Sequence, residues 1–443
     1  MVTRASGTIV RELERIVAGQ VYPYSALATD LQARIALAVE PDSQVECVVY
    51  PRTPEELAEI MACAHRNRWR VLPTGQASKL GWGGLARGID LVVSTERLDR
   101  LIEHAVGDLT VTVEAGMRFT HLEKSLAAAG QFIALDPAYR ESASLGGVLA
   151  TADTGSLRQR HGGVRDLCLG LSLVRADGKI AKAGGRVVKN VAGYDLMKLL
   201  TGSYGTLGIV TQMTLRLYPL AEASRTVLLS GTVEAIAGVC LTLRTSALTP
   251  SGLDVLSSST VARLDIAPGL GLAVGFTGLS ASVDKQCGLC LEVGRAWGAE
   301  GTILADTRFE HRLHEHLRSA VPGPNVVLCK AGVLPARSVE LLDTLDTVSA
   351  EYGLASSGIV YAGSGLAVLR FGPDAECAKA VARIRAYCES QAGFLSVLEA
   401  SPAFKQQFDV WGYTGNALGV MRRVKQQFDP ENILSPGRFV GGI

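Results

Sequence analysis

Three glycine-rich stretches lie in order in the first half of the chain, between segments that read as strands and helices. The first, LPTGQASKLGWGG, runs from Leu72 to Gly84 and has four glycines in thirteen residues. The second, Glu141–Asp166, carries Gly146-Gly147, Gly155 and Gly162-Gly163. The third, Val188–Thr211, carries Gly193, Gly202, Gly205 and Gly208. A single loop of this kind serves turn geometry. Three in one region predict backbone amides converging on one anion-bearing ligand, the alternative being three separate tight turns. Glycine accounts for 48 of the 443 residues, which suits a backbone that approaches a ligand closely.

The surrounding pattern is mixed. Val45–Pro51 reads as a strand, followed by a helix from Pro54 with Thr53 and Glu56 placed as a capping box. Leu57, Ile60, Met61 and Ala64 share one face of that helix. WRVLP returns as a strand directly before the first glycine block. Val111, Val113 and Ala115 alternate with Thr112 and Glu114, the period of a strand. FIALDP reads as another strand, and Asp177-Gly178 as the turn of a hairpin. Beyond residue 221, strands such as GLGLAVGFTGL alternate with helices such as AECAKAVARIRAYCES. A length prior of about 150 residues per domain gives two or three domains. The expected division is an N-terminal extension (1–42), a cofactor domain (43–221), an α+β cap domain (222–420) and a tail (421–443).

Composition excludes several classes. The formal net charge is +1, so nothing favours nucleic acid. Nine cysteines without framework spacing read as reduced thiols. No run of about 18 apolar residues is free of charge. The expected location is therefore the cytoplasm, with attachment to the inner membrane through partners allowed. Gly81-Trp-Gly-Gly-Leu-Ala86 matches G-x-G-x-x-A, but the next segment, IDLVVST, reads as a strand. A dinucleotide motif needs a helix there.

Together the three blocks resemble the flavin-binding domain of the vanillyl-alcohol oxidase / p-cresol methylhydroxylase family. The first stands as Pro73-Thr-Gly-Gln-Ala-Ser-Lys-Leu80, where that family reads P-R-G-G-G-T-S-L. The second is Ser142-Ala-Ser-Leu-Gly-Gly-Val-Leu-Ala-Thr-Ala152, and the third runs from Gly193 to Thr211. The ending FDPENILSPGRF resembles the tail of the D-2-hydroxy-acid dehydrogenase branch. Within that branch the chain is similar to the FAD-binding subunits of glycolate oxidase complexes.

The resemblance implies an α+β fold, a two-lobed FAD-binding domain of the p-cresol methylhydroxylase (PCMH) type followed by an α+β cap. It implies noncovalent FAD, because no histidine stands in the first loop. The implied partners are a related FAD-binding catalytic subunit and an iron–sulfur subunit, with no nucleic acid and no transmembrane segment. Position by position, Pro73, Thr74, Gly75, Gln76, Ala77, Ser78, Lys79 and Leu80 would hold the pyrophosphate. Ser144, Leu145, Gly146, Gly147 and Thr151 would form the opposite wall, with Pro137 and Gly155 beside it. Gly208, Ile209 and Val210 would meet the adenine, and Arg438 the flavin ring or a bound anion. Gln76 and Ala77 replace loop glycines, and Ala152 stands where the family often has asparagine.

Catalytic members carry an H-x-G-x-G-N-x-H-like motif. The corresponding stretch here, Tyr361-Ala-Gly-Ser-Gly-Leu-Ala367, has its glycines without the histidines or the asparagine. The expected function is an FAD-linked oxidoreductase acting on the CH–OH of 2-hydroxy acids, as an accessory or electron-relaying subunit. The alternatives are a self-sufficient dehydrogenase and a flavin-free structural subunit. Of the remaining candidates, Cys287 and Cys290 form one C-x-x-C pair, where a zinc or iron–sulfur site needs four ligands. They read as core thiols. His311, His314 and His316 read as a solvated helix. His161 reads as packing beside the loop, with catalysis the alternative. Arg140 and Glu141 read as a solvated pair, and Asp195 as the start of a helix. No metal is expected.

Overall fold

The computed structural model describes residues 7–186, 193–264, 268–304 and 326–443. Its first lobe is a four-stranded sheet of β1 (Val21–Pro23), β2 (Cys47–Val49), β3 (Val71–Thr74) and β4 (Leu91–Ser94), in the order β1-β2-β4-β3. β2 and β3 both run parallel to β4, and β1 closes the edge antiparallel to β2. The helix Pro54–Asn67 connects β2 to β3. Thr53 Oγ1 accepts the Glu56 amide at 3.1 Å, while Glu56 reaches back to the Arg52 amide at 2.7 Å rather than to Thr53.

The second lobe is antiparallel throughout. β5 (Leu101–Ala105), β6 (Thr110–Glu114), β8 (Cys168–Val174), β9 (Ile180–Gly184) and β10 (Ile209–Arg216) lie in the order β5-β6-β10-β8-β9. The β8–β9 hairpin turns at Gly178, whose φ is +83°. Alternation in β6 does not give a wet face: Thr112 and Glu114 are buried with their apolar neighbours. The polar pair is satisfied internally. Thr112 Oγ1 meets Thr214 Oγ1 at 2.9 Å, and Glu114 takes Arg100 at 2.7 Å. The FIALDP strand shrinks to β7 (Gln131–Phe132), paired with β11 (Tyr218–Pro219).

The chain termini both enter the first lobe. Ile9, Leu13, Val17 and Val21 share a core with Cys47, Leu57, Ile60, Ile433 and Leu434. Residues assigned to an N-terminal extension therefore supply the edge strand β1, and Val39 bridges Ala86. Leu434 bridges Val71 next to the first glycine block. The helix leading into the tail begins at Leu418 and ends at Phe428.

The cap is one eight-stranded antiparallel sheet. Its strands are β12 (Ala223–Gly231), β13 (Gly252–Leu256), β14 (Leu270–Gly278), β15 (Glu300–Leu304), β16 (Val327–Gly332), β17 (Ser356–Tyr361), β18 (Leu366–Phe371) and β19 (Phe394–Glu399), ordered β15-β12-β14-β13-β17-β18-β16-β19. Helices Val233–Thr245, Ser280–Ala296, Ser338–Glu351 and Cys377–Ser390 pack on one face in the largest core of the molecule. Each buried leucine, valine or phenylalanine there contributes about 1.5–3 kcal/mol. Cys287 and Cys290 lie in this core, and burial pushes the Cys290 thiol up to about 12. On the other face, Leu328 and Leu398 pack against Trp82, Ala138 and Tyr139 of the first half. That contact sets the cap over the glycine loops. No helix among the described residues is long and apolar enough to cross a membrane.

Candidate functional site

The three glycine blocks meet in one cleft that is open to solvent. Its first wall is the loop leaving β3. The Thr74 carbonyl turns toward β4, accepting the Thr95 amide at 2.9 Å, and the Gly75 carbonyl accepts Ser94 Oγ at 3.0 Å. The amides of Gly75, Gln76, Ala77 and Ser78 form no hydrogen bond among the described residues. Ala77 has φ +56°, a left-handed conformation that glycine adopts without cost. Gln76 points its side chain outward, where its Oε1 accepts Arg118 Nη2 at 2.9 Å.

The second wall is the helix Leu145–Thr151, capped by Ser144 Oγ on the Gly147 amide at 3.3 Å. The amides of Leu145 and Gly146 are taken by Met117 O and Ala115 O. This wall therefore presents bare glycine surface rather than free donors. A Cβ at Gly75 would stand 2.1 Å from Ser144 Oγ, so the two walls close only over glycine. Ala152 ends the helix with φ +47°, the conformation that asparagine tolerates better than alanine. The third side is the loop from Ser203 to Gly205, tied to the helix by Tyr204 N on Ala150 O at 2.8 Å, together with Gly208, Ile209 and Val210 at the start of β10.

Most of the residues expected at the cofactor line this cleft: Pro73 through Leu80, Ser144, Gly146, Gly147, Thr151, Gly208, Ile209 and Val210, with Arg438. Leu145, Pro137 and Gly155 lie beneath the surface and are not among its lining. Thr95, Ala150, Ser203, Tyr204 and Gly205 line it without having been expected. Ser203 and Gly205 fall inside the third block and carried a signal. Thr95 follows an unremarkable strand and carried none. The block's residues Val188 to Ala192 lie outside the described residues, as do His311, His314 and His316.

His161 stands away from the cleft, half-buried, its ring 5.8 Å from Phe132 and 4.4 Å from Tyr218. Burial, with Arg160 and Arg216 near by, holds its pKa below the usual value. Arg140 pairs with Glu123 at 2.7 Å rather than with Glu141. Asp195 Oδ1 accepts the Lys198 amide at 3.2 Å and caps its helix.

Behind the first wall a second pocket opens toward the cap. Trp82, Ala138, Asp153 and Thr154 line it from the lobes; Leu328, Lys330, Tyr361, Leu366, Val368 and Leu398 line it from the cap sheet. Tyr361 and Leu366 belong to the histidine-free stretch. Asp153 Oδ2 receives the Ala138 amide at 2.7 Å and Lys79 Nζ at 3.4 Å, so one ion pair joins this pocket to the cleft. Lys330 Nζ donates to Ala152 O at 3.4 Å. No group of three His, Cys, Asp or Glu able to hold a metal occurs among the described residues.

The cleft suits a long, anionic, partly aromatic ligand. It has free loop amides, glycine surfaces that any side chain would fill, and the Arg438 guanidinium, whose Nη1 is buried without a hydrogen-bond partner among the described residues.

Comparison with known proteins agrees. Residues 45–184 match the family described as FAD binding domain, and residues 405–439 match FAD linked oxidases, C-terminal domain. The chain is 25% identical over 422 residues to glycolate oxidase subunit GlcD of Bacillus subtilis (strain 168), which covers 90% of this chain and 89% of that one. It is 27% identical over 421 residues to a D-2-hydroxyglutarate dehydrogenase of Xanthomonas citri pv. viticola, covering 88% of each. Over 183 residues it is 37% identical to a probable mitochondrial D-lactate dehydrogenase of Danio rerio, 40% of this chain and 36% of that one. In fold it is similar to p-cresol methylhydroxylase with substrate bound, with TM-score 0.75 at 16% identity over 98% of this chain and 96% of that one. Alkyldihydroxyacetonephosphate synthase has the same score at 18% identity, over 98% and 85%.

Proposed function

We propose that this chain, an FAD-linked oxidoreductase with an FAD binding domain and an FAD-linked oxidase C-terminal domain, is one subunit of a glycolate-oxidase-like assembly that dehydrogenates 2-hydroxy acids. It binds FAD noncovalently, with residues 43–221 as the cofactor domain and 222–420 as the cap. A related FAD-binding subunit oxidises the substrate, an iron–sulfur subunit carries electrons away, and this chain is accessory or relays electrons. Bound FAD supplies hydride and electron acceptance; the protein supplies orientation and electrostatics.

Within the chain, the amides of Gly75 to Ser78 would donate to the diphosphate, and the Arg438 guanidinium would offset negative charge in the same cleft. Gly75, Gly146 and Gly147 admit it between the walls. Trp82, Leu328, Leu366 and Leu398 exclude water from the cap pocket. The observation that carries the accessory reading is the condition of Asp153. Oxidation of a hydroxy acid needs a base within reach of the hydroxyl proton. Asp153, the one carboxylate among the lining residues of that pocket, is already committed to Ala138 and Lys79.

A second reading, a self-sufficient D-2-hydroxy-acid dehydrogenase, is favoured by Lys330 and Tyr361 on the cap side of the pocket, a cation and a hydroxyl where a carboxylate substrate would enter. Purified chain alone, mixed anaerobically with glycolate, D-lactate or D-2-hydroxyglutarate, distinguishes the two. The accessory reading expects flavin absorbance near about 450 nm to persist alone and to bleach once the related subunit is added. Bleaching by the chain alone establishes the second reading. A colourless protein that takes up no FAD points to a structural subunit.

A further inference from the structure

Three buried cations of the C-terminal segment hold carbonyls of the cofactor loops. Lys405, 8% exposed, directs its Nζ at Gly81 O and, at 2.8 Å, at Gly83 O. Arg438, 5% exposed, donates from Nη2 to Leu80 O. On the opposite loop, Lys425 donates to Thr206 O at 2.9 Å and to Leu434 O at 2.8 Å, and pairs with Asp429 at 2.7 Å. Neutral bonds run beside them: Gly84 N to Arg438 O at 3.0 Å and Arg87 N to Pro436 O at 2.7 Å.

Leu80 itself lines the cleft, and Thr206 lies two residues before Gly208, which also lines it. Burying three cations is costly unless their donors are satisfied. Here the satisfying groups are the two loops that form the cleft, together with Leu434 and Asp429 of the segment itself. We propose that residues 405–438 are a clamp for the cofactor. Lys405, Lys425 and Arg438 are positioning residues that set the two loops, and docking of this segment and binding of FAD are one coupled equilibrium. By reciprocity, whatever the clamp adds to FAD affinity, FAD adds to docking of the clamp.

The surroundings of Lys405 give the clamp a proton dependence. Burial pulls its pKa down to about 7, Arg438 adds to that, and Glu399 opposes it. Glu399 also accepts Tyr139 Oη at 2.9 Å, and burial raises its own pKa. On the outer side, Asp409 and the Glu40–Arg87 ion pair line the cavity that Lys405 borders. The ammonium holds the carbonyls of Gly81 and Gly83 more strongly than the neutral amine does, so loosening of that loop, and with it loss of FAD affinity, is expected as pH rises through about 7.

The test is titration of FAD into the apo-protein, read by flavin fluorescence across pH, with limited proteolysis of the C-terminal segment with and without FAD. Lys405→Met is expected to weaken FAD binding at least about tenfold and to flatten its pH profile. Glu399→Gln moves the midpoint to lower pH while the profile persists. FAD slows cleavage within 405–443 of the natural chain. If Lys405→Met does not melt cooperatively, Glu399→Gln and the proteolysis decide. Affinity within about threefold of the natural chain with the pH slope retained in Lys405→Met overturns the proposal. So does an unmoved midpoint in Glu399→Gln, or proteolysis indifferent to FAD. None of these readouts depends on which subunit oxidises substrate.

Discussion

The two halves of LPTGQASKLGWGG do opposite work. Residues 73–80, with one glycine, line the cleft, and the amides of Gly75 to Ser78 are left without hydrogen bonds among the described residues. Residues 81–84, with three glycines, meet the protein itself. A Cβ at Gly84 would lie 2.9 Å from Arg438 O, and one at Gly83 would lie 3.2 Å from Trp411 and Tyr204. Gly83 N donates to Leu398 O of the cap at 2.8 Å. Glycine density marks where backbone comes closest to something. Here that is the cap and tail in the dense half and the second wall, at Gly75 alone, in the sparse half.

Substitutions in the two halves should therefore separate. Gly75→Val drives a side chain into Ser144 Oγ and the cap of its helix, and FAD affinity should drop at least about 100-fold, near 2.7 kcal/mol, by titration. Gly84→Ala meets backbone carbonyls that cannot rotate away and should cost about 1–3 kcal/mol of stability in denaturant unfolding, including in the apo-protein. Equal losses of apo stability from both substitutions would erase the distinction. Ala77→Gly relieves a left-handed alanine and should raise stability by roughly 0.5–1 kcal/mol, with FAD affinity kept or improved. Arg118→Ala removes an exposed contact to Gln76 and should change FAD affinity by no more than about 0.5 kcal/mol. A larger loss would make the outward anchoring of Gln76 part of the cofactor site.

Proton linkage sharpens the same contrast. The folded Lys405 sits near 7, below an ordinary lysine, so between that pH and the usual lysine range the unfolded chain binds more protons. Apo stability therefore rises with pH across that window and not below it. Lys405→Met should lose this rise, as urea unfolding at several pH values would reveal.

Much of the cofactor cleft was legible because its residues are local in sequence. Loop Pro73–Leu80, Ser144 with its helix, and Gly208–Val210 each sit within a continuous block, and strand–loop–helix order follows from periodicity and capping. Thr95 was not legible, since nothing distinguishes it from the end of any strand. Val111 to Ala115 read correctly as a strand from their alternation, but that period alone does not say that Thr112 and Glu114 are buried; only packing decides whether a polar face is covered. Pro137, Leu145 and Gly155 belong to the second block or its approach, yet their backbone runs under the surface.

The sequence alone placed three glycine blocks in order and carried, through their resemblance to a flavin-binding family, the expectation of one anionic cofactor; that the blocks meet in a single cleft is a property of the fold. The sequence also determined that the histidines of the corresponding catalytic stretch are absent between Tyr361 and Ala367. Tertiary structure decided what Gly81 to Gly84 are for and gave Lys405, Lys425 and Arg438 their partners. For each of the three these include a loop carbonyl more than 200 residues away. Any surface lysine looks the same in sequence; burial against a chosen backbone oxygen is a property of the folded chain alone.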